Sequence, residues 1–596
     1  MRIHHTLLLL PFLIAESALA GVAITAVSPP SNSMSPDRSP AISISFSEPL
    51  DPATLTPGAF TVFGLWSGVH SGDLSLSENR LNLVFMPDQP FSAGERVTVS
   101  VARLIAGDDA QPLAHGYSWH FVVATSPATL SPVETTRISV RQKGEAWIQT
   151  YGAYAGDFNE DGFTDLAVPN ERSNDFRLFL NDGTGFYRSF DTYSIPSGSR
   201  PSVNEGADFD LDGHMDYVVG NSTGATVGLF MGDGNGVLES AGTFAVGIGV
   251  RGLAVLDLNG DNYPDVVTAS RQQSVVSTLI NDGMGSFLPA TTFSTPGSGE
   301  TAAVAADMNE DGIMDVVVGT YVSGDMVVLL GDGEGNVKLH ERYPAGGSVW
   351  MVVAGDVNGD GHADVVSSNS DDATVSVLLG DGQGGLGLPK TYASGPFTIA
   401  VDLGDLDGDG DLDLVSSNYG NSTVDGGDGS WVIFENDGGG HFTYRTTLHS
   451  TNAGSCVVLH DRNNDGTLDL TAIDELQDEL VLFTNPSVAT ATEPAAVPSA
   501  SFALETYPNP MGSRTTLSYA VPEPGRVVIE LFDVAGRRLA GIYDDVQSAG
   551  SHLLPIDSDA LHITPGIYFV VLSTGGRRTS LEIHKAFRRG SKRFIR

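Results

Sequence analysis

A single cysteine, Cys456, stands in 596 residues, so no disulfide can form within the chain. An exported protein of this length without disulfides relies on its cores, or on bound metal, for stability. Cys456 lies in the apolar run CVVLH and reads as a packing residue rather than a reactive thiol. Basic residues are scarce: 31 Lys and Arg face 73 Asp and Glu, for a formal net charge of −42. That balance argues against nucleic acid and against anionic membranes as partners. Long apolar runs are missing too. The exception, TLLLLPFLIA, lies between Arg2 and Ala18-Leu19-Ala20. This is the layout of a secretory signal peptide over residues 1–20, too short to span a bilayer. The expectation is an exported chain, mature from Gly21 and not membrane-spanning. H-E-x-x-H does not occur, and GNSTG at 220–224 is a G-x-S-x-G match without the following helix that a nucleophile elbow needs.

Carboxylates, by contrast, are plentiful and organised. A nine-residue motif recurs seven times: DFNEDGFTD at 157, DFDLDGHMD at 208, DLNGDNYPD at 257, DMNEDGIMD at 307, DVNGDGHAD at 356, DLDGDGDLD at 405 and DRNNDGTLD at 461. Successive copies are 51, 49, 50, 49, 49 and 56 residues apart. Each copy sits between two short apolar runs, such as MVVAG and DVVSSN, and a third run ends in a turn such as NDGTG or GDGEG. Asn-Asp-Gly and Gly-Asp-Gly supply the positive φ angles of tight hairpins. With a closing strand of the KTYAS type, this predicts four strands per repeat and an all-β chain built on a seven-bladed β-propeller. The last repeat lacks its fourth strand, and the stretch TRISVRQ before the first motif is expected to supply it.

The motif places oxygen ligands at alternate residues of a tight loop, the pattern of a calcium site. The expected ligands are the side chains at positions one, three, five and nine and the backbone carbonyl at position seven. In order along the chain these are Asp157, Asn159, Asp161, Phe163 and Asp165; Asp208, Asp210, Asp212, His214 and Asp216; Asp257, Asn259, Asp261, Tyr263 and Asp265; Asp307, Asn309, Asp311, Ile313 and Asp315; Asp356, Asn358, Asp360, His362 and Asp364; Asp405, Asp407, Asp409, Asp411 and Asp413; and Asp461, Asn463, Asp465, Thr467 and Asp469. Up to seven Ca²⁺ are expected. An oxygen-only set without Cys or His excludes zinc. An EF-hand needs Glu at loop position twelve, where Val168 and Val219 stand here. Gly at position six makes the bend, and Asn262, its replacement in the third copy, tolerates the same left-handed conformation. His214 and His362 are expected to point their side chains into solvent.

These residues resemble the FG-GAP or VCBS repeats of integrin α-subunit heads and bacterial surface proteins, over residues 137–486. The resemblance implies a seven-bladed propeller braced by calcium. Residues 24–125 read as a β-sandwich: AISISFSEPLD alternates through Ile42, Ile44 and Phe46, and the segment resembles a bacterial Ig-like (SbsA-type) domain. A linker rich in Ala, Pro and Thr occupies 487–503. Residues 504–585, a second small β-sandwich, resemble the sorting domain of the type IX secretion system. Tyr507, Pro508, Asn509, Pro510, Gly525, Asp533, Gly536, Arg537, Gly566, Ile567 and Tyr568 carry that match. It implies handling by the type IX machinery of a Gram-negative bacterium and delivery to the outer surface or the medium. The basic tail 586–596 lies beyond it.

The functional expectation is adhesion or ligand binding at a cell surface, with a surface protein or a glycan as partner and no catalytic residues. Two alternatives are an enzyme cleaving polysaccharides or esters in the propeller centre, and a structural surface-layer component. Exposed aromatics on a flat face would favour binding. His, Tyr and Arg converging on the axis would favour the enzyme. The one irregular interval, Asn421 to Trp431, is a candidate ligand loop.

Overall fold

The structure, a computed structural model, describes residues 21–420 and 429–488 and, within 504–585, seven strands with a few residues between them. The signal peptide, residues 489–503 of the linker, residues 421–428 of the candidate loop, Pro508 to Pro510, Gly536 and the basic tail lie outside the described residues. The chain separates into two compact units, Met1–Ala489 and Thr490–Arg596. Apart from one 3-10 turn at Pro52–Thr54, every regular element among the described residues is a β-strand. No helix among them is long and apolar enough to cross a membrane.

The N-terminal domain has two sheets. One orders Ile24–Ser28, Ile42–Phe46, Asn82–Pro87 and Gly72–Leu76; the other orders Met34–Ser35, Tyr117–Val123, Arg96–Val101, Phe60–Gly64 and Gly68–Val69. The alternation in AISISF is realised. Ile42, Ile44 and Phe46 are buried and share a core with Val97, Val99, Trp119 and Phe121 of the second sheet.

Seven four-stranded antiparallel sheets follow. In the first, Tyr154–Gly156 pairs with Asp165–Asn170, which pairs with Asp175–Asn181, which pairs with Tyr187–Ser194. Five more repeat this order, opening with Pro201–Ala207, Val250–Leu256, Glu300–Ala306, Val349–Gly355 and Thr398–Gly404. The seventh is composite: Gly454–His460, Asp469–Asp474 and Glu479–Thr484 take Val133–Ser139 as their fourth strand. The strand-like stretch before the first motif thus completes the last sheet, starting slightly earlier than read. The opening strands pack against one another in chain order, and Tyr154–Gly156 touches both Pro201–Ala207 and Gly454–His460.

The second strand of each sheet is buried at all six positions. Strands buried on both faces show no alternation, and so it is here: DVVVGT carries three valines in a row, and DVVSSN buries Ser367, Ser368 and Asn369 beside its valines. Cys456 is partly buried against the core shared by the first and last sheets, and burial pushes its thiol up to about 12. It is a packing group, not a nucleophile.

The second unit, described by itself, has a three-stranded sheet of Leu504–Tyr507, Arg514–Val521 and Gly550–Asp557. A four-stranded sheet orders Arg538–Gln547, Gly525–Asp533, Gly566–Thr574 and Arg577–Lys585. Leu517, Tyr519, Ile529, Leu531, Val570 and Leu572 bury into one core, as a small sandwich requires.

Candidate metal loops and the face opposite them

Every motif is the loop from the first to the second strand of its sheet. In the fourth, Asp307 accepts backbone N–H bonds from Asp311 (3.2 Å) and Gly312 (2.8 Å). Asn309 Oδ1 accepts from Asp311 N at 3.1 Å, and Asp311 Oδ1 from Ile313 N at 2.8 Å. Asp315 accepts from Met308 N at 2.9 Å and from Gly331 N, at the start of the hairpin turn, at 2.8 Å. The position-nine carboxylate therefore ties the motif to the hairpin of the same sheet. Asp165, Asp216, Asp265, Asp364 and Asp413 make the same pair of bonds.

The loop conformation is as the residue types demand at position six, where Gly312 has φ 82° and Asn262 has φ 71°. Position four is also left-handed in every copy, including Glu160, Leu211, Glu310 and Asn464. Sequence reasoning missed this, although Gly at that position in the third, fifth and sixth copies and Asn in the seventh were the signal.

The carboxylates converge. Ligand oxygens of Asp208, Asp210 and Asp216 lie within 4.8 Å of one another, as do those of Asp405, Asp407 and Asp413. These are acidic clusters that could hold a metal. In the other copies position three is Asn, an oxygen donor without charge. At position five, Asp212 and Asp409 are exposed and each turns an oxygen to the N–H of position seven, while, after burial, their charges help to raise Asp208, Asp210 and Asp407. Burial pushes the position-nine carboxyls far up, to about 8 at Asp216, Asp315 and Asp413, and position one to about 6 at Asp208, Asp257 and Asp307. Desolvation without a counter-charge is the first cause in each. Asp411, the position-seven residue of the sixth motif, adds a buried Oδ1 with no hydrogen-bond partner. All-oxygen donors, charge without compensation and that orphaned oxygen fit a hard divalent cation.

The seventh loop differs. Arg462 is buried there, with Nη2 3.5 Å from Asp469 Oδ2, so this site carries its own cation. The histidines also depart from expectation. His214 Nδ1 bonds Glu160 and His362 Nδ1 bonds Glu310, in each case the position-four glutamate of the preceding motif. These bonds raise both imidazoles above their usual range, so the side chains link neighbouring loops instead of pointing freely into solvent.

The N-terminal domain and the segment following it lie against this loop face. Asp157 N donates to the Trp66 carbonyl (2.7 Å), Arg103 N to Gly260 (2.7 Å), Ser118 N to Gly312 (2.8 Å), Ser126 N to Gly466 (2.6 Å) and Ala128 N to Asp407 (2.9 Å). Asn32 Nδ2 reaches the Gly361 carbonyl at 3.1 Å. Five of the seven loops are thus held through backbone bonds and a sixth through the Asn32 side chain. Backbone meets backbone at Gly116, where a Cβ would run into Gly260, and a Cβ on Gly312 would run into the Tyr117 ring. Between this domain and the opening strands lies a cavity of about 330 Å³ lined by Phe60, Phe63, Arg96, His120, Glu205 and Met314.

The opposite ends of the sheets carry rings and arginines. Trp350 Nε1 donates to Tyr151 Oη across the array at 3.1 Å. Ring centroids run in steps from Tyr321 to Trp350 (5.6 Å), to Phe397 (5.8 Å) and to Tyr419 (6.2 Å). The Arg271 guanidinium lies 4.4 Å from the Tyr321 centroid and 4.9 Å from that of Trp350. Arg172 lies over Trp147 at 4.8 Å. Buried Glu171 pairs with Arg251 (2.7 Å) and Arg200 (3.5 Å). Burial, and then Glu171, push Glu475 up to about 8, and Gln149 Nε2 donates to it at 3.1 Å.

Residues 157–219, 208–268, 257–318, 307–367 and 356–416 match the FG-GAP-like repeat family, and residues 20–123 match the bacterial Ig-like domain. No curated protein matches the chain. Two solved structures are similar in outline. One, a functionally unknown protein from Desulfotomaculum acetoxidans DSM 771, is 9% identical with TM-score 0.36, over 64% of this chain and 96% of that one. The other, a putative 6-phosphogluconolactonase from Bacteroides uniformis ATCC 8492, is 12% identical with TM-score 0.36, over 68% and 98%. The chain therefore carries FG-GAP-like repeats behind an N-terminal bacterial Ig-like domain, two kinds of domain that suggest an extracellular or surface protein.

Proposed function

We propose that this is an exported, calcium-braced binding protein of a bacterial cell surface, in which the seven sheets close into a propeller. The order of the opening strands, with Tyr154–Gly156 touching both the second and the last, supports closure. So does the completion of the seventh sheet by Val133–Ser139. Calcium is held by the side chains at positions one, three, five and nine and the carbonyl at position seven. The observation that carries the reading is the convergence of buried, uncompensated carboxylates in the motif loops. Arg462 makes the seventh site the weakest. In extracellular modules calcium affinity is weak, and at ten to a hundred times Kd each site adds roughly 1.4–2.7 kcal/mol. Ligand binding falls to the face opposite the loops, because the loop face is covered by the Ig-like domain. The C-terminal unit acts as a type IX sorting domain; its sandwich form and the matching Gly525, Asp533 and Gly566 support this.

The test is the melting temperature of the chain from Gly21, in millimolar calcium and then in chelator. A fall of well over ten degrees on chelation is expected. An unchanged melting temperature would overturn the calcium reading.

A further inference from the structure

We propose that the face opposite the motif loops binds an anionic polysaccharide, its sugar rings stacked on the aromatic arc and its carboxylate or sulfate groups held by Arg271 and Arg172. The inference rests on the ligand face assigned above and adds the chemistry of the ligand.

Arg271 is fixed but not satisfied. Tyr321 and Trp350 hold its guanidinium from two sides, and Asp371 holds the Tyr321 hydroxyl at 2.9 Å. Yet among the described residues no carboxylate stands within ion-pair distance of Arg271 and no acceptor takes its guanidinium N–H groups. Arg172 is placed alike, exposed, over Trp147 and without a carboxylate. In a chain with 73 acidic residues to 31 basic ones, two unpaired arginines at one end of the sheets are unexpected. The acids nearest the centre do not compete for them, because Glu171 is taken by Arg251 and Arg200 and Glu475 by Gln149. A planar fork held by aromatic faces matches a bidentate oxyanion, carboxylate or sulfate.

The rings supply the second half of the site. Phe397 and Tyr419 are half-buried, continue the arc beyond Trp350, and have no arginine over them. Neighbouring rings meet tilted or edge to face, at 57° and 71°, so the arc offers separate ring faces rather than one flat platform. Pyranoses present an apolar C–H face and a polar rim, which suits flat aromatic side chains bordered by charge. The carboxylates of the motifs stand at the far ends of the same sheets, away from a polymer bound at this face.

The experiment is isothermal titration of the chain from Gly21, in calcium, with polygalacturonate, dextran sulfate, neutral dextran and single-stranded DNA. Polygalacturonate or dextran sulfate should bind, their ratio identifying carboxylate or sulfate, while dextran and DNA should not. Arg271→Ala should weaken binding about tenfold or more, and Arg271→Lys, which keeps charge but loses the fork, should restore only part. Equal binding of dextran or DNA, or unchanged affinity in Arg271→Ala, would overturn the proposal. The melting temperature of each sample in calcium and in chelator is read alongside. Calcium-dependent melting with no polysaccharide binding sinks this inference alone, whereas loss of the calcium dependence sinks the reading beneath it.

Discussion

The two ends of the repeat sheets are made from the same strands and have become opposites. One end is acidic, repeats a single motif and is closed over by another domain through backbone bonds. The other is aromatic and arginine-bearing, follows no motif and is bonded mainly through side chains. A repeat imposes its geometry where every copy must solve one problem, here the packing of a carboxylate at the start of a fully buried strand. At the far end each copy is free to differ. Trp350, Arg251 and Tyr151 stand within three residues of the start of an opening strand in three different sheets, with three different chemistries.

The comparison is broken most severely by pH in chelator. The position-nine carboxyls, raised to about 8 at Asp216, Asp315 and Asp413, bind protons more tightly in the folded than in the unfolded chain. Between about pH 4 and 8 the folded state therefore holds more protons, so metal-free stability falls as pH rises through that window. Urea midpoints measured across it should drop steadily in chelator and stay nearly level in calcium. A smaller effect is expected from Gly116→Val, whose side chain would enter the Gly260 backbone. Overpacking there should cost about 1–3 kcal/mol and expose the 124–132 segment to protease, with polysaccharide binding at the other end unchanged. Smallest is Trp350→Phe, which removes the bond to Tyr151 and should cost about 1 kcal/mol in denaturant unfolding without altering calcium stoichiometry.

The repeating end was legible in the sequence because its requirements are local. Alternating Asp and Asn, a bend at position six and a hairpin Gly all lie within about thirty residues of one another. The four strands per repeat and the composite last sheet followed from spacing alone. What escaped reading depends on contacts across the chain. Nothing in Ser118 or Arg103 announces a bond to Gly312 or Gly260. The pairing of His214 with Glu160 joins residues in consecutive copies, and only the sheet-to-sheet rotation brings them together. Tyr321, Trp350, Phe397 and Tyr419 are spaced unevenly and obey no period, so their arc exists only in the folded chain. The isolated Arg462 was readable as a residue, but its place beside Asp469 was not.

Val133–Ser139 pairs with Glu479–Thr484, and Val488 N donates to the Pro127 carbonyl at 2.8 Å just outside that pair. The chain therefore enters and leaves the repeats side by side, and tension between residues 127 and 488 acts on this one junction. The load peels bonds singly from Val133↔Thr484 inward, as a zipper opens. Where the entering and leaving strands are drawn apart, the repeats thus have a mechanical fuse at a single seam.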